Sequence, residues 1–254
     1  WMDWTSGLRF SSDGQQILFG DQHSGKDYGT FLRNLDGSPA VRLGDGDPMD
    51  ISADGKWALS RLPSAPDQLL LLPTGAGEPR QLTHSKVEHL NARWFPDGRI
   101  FCVGNEPGHR ERTFLIDLQG NETPLTPEGV RAIAATSDSK ELLTSNDDGT
   151  QFQMFPLDGS PPRALSQLQN GDRPYDFTPD DAAVLVRRNG AEGAAEIWRV
   201  ELAGNKRTLL RTISLSEVSS TTSRPFAITS RDGKSYAYRY ARKISAEYVV
   251  EGLR

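Results

Sequence analysis

Cysteine is nearly missing: Cys102 is the single one in 254 residues, so no internal disulfide can form. Set within Ile100-Phe-Cys-Val103, it reads as a small core residue. Long apolar runs are missing too. The four leucines Leu69 to Leu72 fall far short of the roughly 18 or more residues of a membrane helix, and no basic-then-apolar leader opens the chain. Positive charge is scarce: 29 Lys and Arg stand against 34 Asp and Glu, a net charge of −5. That balance lacks the clustered cations that release counterions from phosphate backbones, which excludes nucleic acid as the expected partner. No stretch of ten or more residues carries an apolar stripe at helical spacing, so very little helix is expected. The first residue is Trp1, and the expectation is a piece of a longer product.

What the chain does have is turn formers, 24 Gly and 16 Pro, beside an apolar share of 36% and a charged share of 25%. Such a composition belongs to a folded, turn-rich protein and not to a disordered chain or a coiled coil. The turns recur. Phe10-Ser-Ser-Asp-Gly14, Ile51-Ser-Ala-Asp-Gly55 and Trp94-Phe-Pro-Asp-Gly98 share one phrase, each followed by an alternating apolar run. Looser copies stand at Ala135-Thr-Ser-Asp-Ser139, Phe177-Thr-Pro-Asp-Asp181 and Ile228-Thr-Ser-Arg-Asp-Gly233. The marker residues are Asp13, Asp54, Asp97, Asp138, Asp180 and Asp232, separated by 41, 43, 41, 42 and 52. Gly14, Gly55, Gly98 and Gly233 follow four of them, because glycine takes positive φ without a Cβ clash while Asp bonds its own backbone two residues on. These ten residues are the expected structural turns of the repeat.

A second apolar strand, polar turn and short strand follow in each copy, as in Phe114-Leu-Ile-Asp-Leu-Gln-Gly120, giving four strands per unit. Four antiparallel strands every 40 to 45 residues predict an all-β fold, a β-propeller of about six four-stranded blades in a single domain. The expected blades are 5–47, 48–87, 88–129, 130–170, 171–213 and 224–254, with first strands at 7–11, 48–52, 91–95, 131–136, 174–178 and 225–230. Residues 1–4 are expected to complete the last blade and close the ring, and residues 214–223 to form an inserted loop.

The Asp-Gly-Lys phrases resemble the propeller repeats of TolB-type proteins and of the non-catalytic propeller in dipeptidyl-peptidase-like enzymes. Longer phrases, Leu35-Asp-Gly-Ser-Pro-Ala-Val-Arg-Leu43, Ala92-Arg-Trp-Phe-Pro-Asp-Gly98, Gly104-Asn-Glu-Pro-Gly-His109 and the terminal segment from Tyr236 to Arg254, resemble the C-terminal propeller of bacterial eukaryotic-type serine/threonine protein kinases. That resemblance covers almost the whole chain. It implies a sensory or protein-binding region, outside the cytoplasm and tethered through a parent protein. Ser139 and Asp181 depart from the usual Gly after the marker, and worn turns are expected there.

Enzymatic motifs are absent. The chain holds no glycine-rich phosphate loop, His-Arg-Asp or Asp-Phe-Gly, and no Gly-x-Ser-x-Gly elbow. His84 and His89 lack metal-ligand spacing and are expected to be solvated loop residues. His109 is expected on a surface loop, with Glu106 the carboxylate a hydrolytic role would need. Asp45, Asp47 and Asp50 lack the twelve-residue calcium pattern, and Ser145-Asn-Asp-Asp-Gly149 reads as a hairpin turn. Trp57, Trp94, Trp198, Phe31, Phe114 and Phe155 are expected to pack between blades, Trp1 and Trp4 to anchor the terminal strand, and Arg239 to Lys243 to protect a strand edge. No catalytic residue, cofactor or metal is assigned. The expected function is a non-catalytic binding or sensor module with a protein or small-molecule ligand at the propeller mouth. A TolB-like envelope scaffold and a peptidase accessory domain are the alternatives.

Overall fold

A computed structural model of the chain describes residues 5–21, 28–214 and 225–240. Blade one contains β1 (Thr5–Phe10), β2 (Gln16–Asp21), β3 (Gly29–Asn34) and β4 (Val41–Asp45). Blade two contains β5 (Asp47–Ile51), β6 (Trp57–Leu62), β7 (Gln68–Pro73) and β8 (Arg80–Gln81). Blade three follows with β9 (Glu88–Trp94), β10 (Ile100–Asn105), β11 (Arg112–Ile116) and β12 (Glu122–Pro124). Blade four has β13 (Val130–Ala135), β14 (Glu141–Asn146), β15 (Phe152–Pro156) and β16 (Arg163–Ala164). Blade five has β17 (Arg173–Phe177), β18 (Ala183–Asn189), β19 (Ala195–Glu201) and β20 (Arg207–Ile213). Each is an antiparallel meander in chain order.

The sixth repeat departs from the expectation. Among the described residues it is a two-stranded hairpin, β21 (Phe226–Thr229) against β22 (Tyr236–Arg239), so five four-stranded blades are formed and not six. The marker turn needs only its own few residues to form, whereas a blade needs four strands in register. The expected completing strand at 1–4, the 241–254 end of the last expected blade with the 241–243 part of the basic patch, and most of the 214–223 insertion lie outside the described residues.

The leucine run of β7 shows why the strands read as they do. Leu69 and Leu71 join a cluster with Ala92, Trp94, Ile100, Phe114 and Ile116 of blade three, whereas Leu72 packs with Leu18 and Leu32 of blade one. Both faces of the sheet are covered, so alternation is lost and every position is apolar. Each such buried leucine contributes about 2 kcal/mol relative to exposure. Phe95 and Phe101 then pack on Leu142 of blade four, and Phe177, Val184 and Val186 of blade five pack on Leu143 and Met154. The last layer joins Ile197 of blade five and Ala227 and Ile228 of the hairpin to Leu8 and Phe19 of blade one. The core is thus a set of layers between blades, and the hairpin closes the ring.

Cys102 is fully buried in the layer between blades two and three, where burial pushes its thiol well above the ordinary range. Trp94 and Phe114 are buried there, and Trp57, Trp198, Phe31 and Phe155 lie partly buried against the inter-blade layers, as packing residues do.

Candidate functional site

The marker phrase builds one turn five times over. In blade two Ser52 Oγ donates to Asp54 Oδ1 at 2.7 Å, Asp54 accepts from Lys56 N–H at 3.1 Å, and Ser52 Oγ accepts from Trp57 N–H at 3.0 Å. The same bonds recur from Ser11 to Asp13, Thr136 to Asp138, Thr178 to Asp180 and Ser230 to Asp232. The hydroxyl, then the backbone N–H, holds each of these carboxyls below the usual carboxylate range. Blade three has Phe95 in place of the hydroxyl. Burial would raise Asp97, but Arg99 outweighs it by bonding Asp97 with both side chain and backbone. Gly55 takes φ +69° with open space around it, which identifies its role as conformational. Ser139 (φ +58°) and Asp181 (φ +53°) take the same left-handed conformation, so the turns of blades four and five are intact and not worn. Ser139 Oγ accepts from Asp97 N–H, and Asp181 accepts from Ser137 N–H at 2.7 Å, so each also ties its turn to the neighbouring blade.

These turns surround one end of the central channel. A cavity of about 170 Å³ there takes Ser12, Ala53, Pro96, Ser137, Asp176 and Arg231, among others, drawing on all six repeats. Its floor comes from the residue four places before the marker in five repeats, which is Arg9, Asp50, Arg93, Asp176 and Ile228, and from Ala135 in blade four. The first strands of blades one, two, four and five each carry a bulge just ahead of this position, between Ser6 and Leu8, Pro48 and Asp50, Ala132 and Ala134, and Pro174 and Asp176. A bulge re-aims the side chains that follow it. At Gly7 (φ +43°) a Cβ would sit 2.8 Å from the carbonyl oxygen of Pro48, so this bulge admits glycine alone.

Arg93 crosses the channel. Its guanidinium is 2.8 Å from Asp176 and 3.6 Å from Asp50, and it donates to the carbonyls of Ile133 and Tyr175 at 2.8 Å each. Arg231 reaches Asp176 at 3.5 Å and Asp181 at 3.2 Å. Burial would raise Asp176, yet Arg93 and Arg231 outweigh it and hold its carboxyl below the usual range. Burial likewise opposes the charge of Arg93, and Asp176 with Asp50 more than restores it. Tyr175 Oη and Thr229 Oγ1, 2.9 Å apart, fasten the hairpin to blade five. The floor is therefore a set of ion pairs joining blades two, three, five and the hairpin, with Arg93 also bonded to a blade-four carbonyl. Among the described residues Arg9 is the exception: its side chain has neither hydrogen bond nor ion pair, and its Nε is buried without a partner.

The other candidates are placed elsewhere. His89 is buried on β9 and not solvated, with Nδ1 2.6 Å from the Asp67 carbonyl oxygen and Nε2 2.9 Å from Glu122, so it links blades two and three. His84 is exposed, as expected, and His23 lies outside the described residues. His109 sits in an exposed loop and pairs with Glu128 at 2.7 Å, while Glu106 pairs with Arg112. Asp45, Asp47 and Asp50 do not converge: they meet Arg42, Arg61 and Arg93 respectively. Asn146 caps the hairpin of the Ser145 segment through Thr150 and Gln151. Among the described residues no group of three His, Cys, Asp or Glu side chains could hold a metal ion. The channel floor carried a faint sequence signal, a charged residue four places before four of six markers, that the more regular Asp-Gly phrase hides.

A ring of four-stranded meanders with a turn-lined channel is a β-propeller. No protein-family model matches the chain, and no curated protein matches it in sequence. Solved structures do match in fold. A putative TolB from Agrobacterium tumefaciens is 19% identical with a TM-score of 0.68, the match covering 95% of this chain and 91% of that one. TolB from Acinetobacter baumannii is 16% identical with a TM-score of 0.65, covering 81% of this chain and 53% of that one. A puromycin-hydrolyzing peptidase from Mycobacterium tuberculosis is 14% identical with a TM-score of 0.57, covering 88% of this chain but 40% of its own. The chain thus spans about half of the Acinetobacter protein and two fifths of the peptidase. At these identities the likeness establishes the fold.

Proposed function

We propose that this chain is a non-catalytic binding propeller, one domain whose turn-side mouth receives a protein segment or a small ligand. The observation that carries the reading is the cavity at that mouth, to which all six repeats contribute and which rigid blades hold in place. The acid and base groups on its floor, Asp50, Arg93, Asp176 and Arg231, are engaged with one another, so none is poised for proton transfer. The long phrases shared with bacterial serine/threonine kinases support a place as the sensor region of such a kinase, outside the cytoplasm. The near-complete coverage of the Agrobacterium TolB supports a second reading, a scaffold for envelope proteins. The peptidase match, confined to 40% of that enzyme, supports a third, an accessory propeller that gates substrate.

Ala53 is exposed on the rim, so Ala53→Trp obstructs the mouth without touching the core. Immobilised propeller is expected to capture a partner from bacterial envelope extract, and Ala53→Trp to abolish the capture. Equal capture by both overturns the mouth as the site, and phosphotransfer or peptidase activity of these 254 residues overturns the non-catalytic reading. Flanking coding sequence separates the settings: an upstream kinase domain with an apolar span, a leader peptide without a kinase, or a downstream hydrolase region.

A further inference from the structure

Beyond the ion-paired floor, at the opposite end of the channel, lies a second cavity of about 330 Å³. Leu8, Pro48, Met49, Leu90 and Phe226 form an apolar wall, and Arg9 lines this cavity as well as the first. Arg187 lies behind this wall, its guanidinium 3.8 Å from the centre of the Phe226 ring and 5.9 Å from that of Tyr175. Among the described residues neither Arg9 nor Arg187 has a hydrogen bond or ion pair, and the Nε of each is buried without a partner. Burial, then repulsion from Arg93, lowers the Arg9 guanidinium pKa to about 10 although Asp50 and Asp176 partly offset the fall; burial, then repulsion from Arg9, Arg239 and Arg173, lowers that of Arg187 to about 10. Asp47, the carboxylate lining this cavity, is already committed to Arg61 at 2.9 Å and Ser6 at 3.1 Å. Two desolvated cations with unused N–H donors beside an apolar wall form an unfinished arrangement. A guanidinium fork matches an oxyanion in charge and in geometry.

We propose that this cavity is a binding site for a small organic anion, with Arg9 and Arg187 gripping its carboxylate or phosphate group and the wall of Leu8, Met49, Leu90 and Phe226 receiving its apolar body. The site faces away from the turn-side mouth and goes beyond the function proposed there. Ala53→Trp leaves it open, so failure of partner capture and failure of anion binding are independent results.

The test is titration of the whole chain with benzoate and with phenyl phosphate at low salt, followed by calorimetry and by NMR of the arginine Nε–H groups. Inorganic phosphate serves as the head group without an apolar body. Binding of benzoate, of phenyl phosphate or of both is expected, with inorganic phosphate weaker than phenyl phosphate; the preferred probe identifies the head group. Arg9→Gln and Arg187→Gln are each expected to weaken binding about 10- to 100-fold, since each removes charge-assisted hydrogen bonds. Arg9→Lys keeps the charge and loses the fork, and an intermediate loss is expected. Because each Gln variant removes an unpaired buried cation, folding is expected to survive, as circular dichroism would report. If a variant nevertheless fails to fold, movement of the Nε–H resonances of Arg9 and Arg187 in the unaltered protein still decides. Absence of binding by both organic probes, binding that leaves those resonances in place, or binding undiminished in two folded Gln variants overturns the proposal.

Discussion

At the turn-side end of the channel, Arg93 and Arg231 are held by Asp50, Asp176 and Asp181 from other repeats, while Arg9 and Arg187 toward the opposite end have no carboxylate partner among the described residues. The difference separates two uses of a buried cation. A paired guanidinium that crosses the channel ties blades together, and its removal leaves carboxylates stranded. An unpaired one opposes folding, and a fold that keeps it departs from its own rules at that place. Such departures concentrate at functional sites.

The largest expected effect breaks the paired end. Asp176→Ala removes the carboxylate shared by Arg93 and Arg231, leaving each with one weaker partner, Asp50 and Asp181, and is expected to destabilise the protein by about 3 kcal/mol, read as a lowered urea midpoint. Acid reaches the same pairs without mutation. Asp176 and Asp172, the latter fully buried between Arg188 and Arg207, both titrate below the ordinary range in the folded protein. Their stabilisation is present above the unfolded carboxyl value of about 3.9 and is lost as pH falls through the folded values. Urea midpoints measured from pH 6 downward should fall in that acid window, and less steeply in Asp176→Asn. An unchanged slope in the variant would deny Asp176 this role.

The unpaired end responds in the opposite direction. The folded state lowers the Arg9 pKa from its ordinary value to about 10, so it binds the proton less tightly than the unfolded chain and the charge opposes folding until pH rises through that interval. Arg9→Met is therefore expected to raise stability, by about 1–4 kcal/mol, with a higher melting temperature at pH 7. A lower melting temperature would show that Arg9 is supported after all and would erase the contrast. The smallest effect lies in the turns at the paired end: Ser52→Ala removes the hydroxyl between Asp54 and Trp57 N–H and should cost about 1 kcal/mol in urea unfolding.

The strand order and the first strands of five blades were legible to within about three residues, because the marker turn is a local device. Its hydroxyl, carboxylate and positive-φ residue all fall within four positions, so spacing alone reveals it. The same locality explains the sixth repeat, where a sound turn at Asp232 and Gly233 accompanies only two described strands. Ser139 and Asp181 were misleading for a related reason. Both tolerate the left-handed conformation, with a neighbouring blade supplying the hydrogen bond that helps fix it there. His89 was misplaced because its partners, the Asp67 carbonyl and Glu122, are 22 and 33 residues away in sequence.

The sequence by itself determined the repeat, the four-strand unit and the all-β class, since periodicity and turn chemistry are properties of neighbours along the chain. Only the tertiary structure decided that Asp50, Arg93 and Asp176 share one floor while Arg9 is left over. Charges four places before successive markers stand roughly 40 residues apart in sequence, and it is closure of the ring that makes them neighbours and removes the water that would otherwise keep them independent.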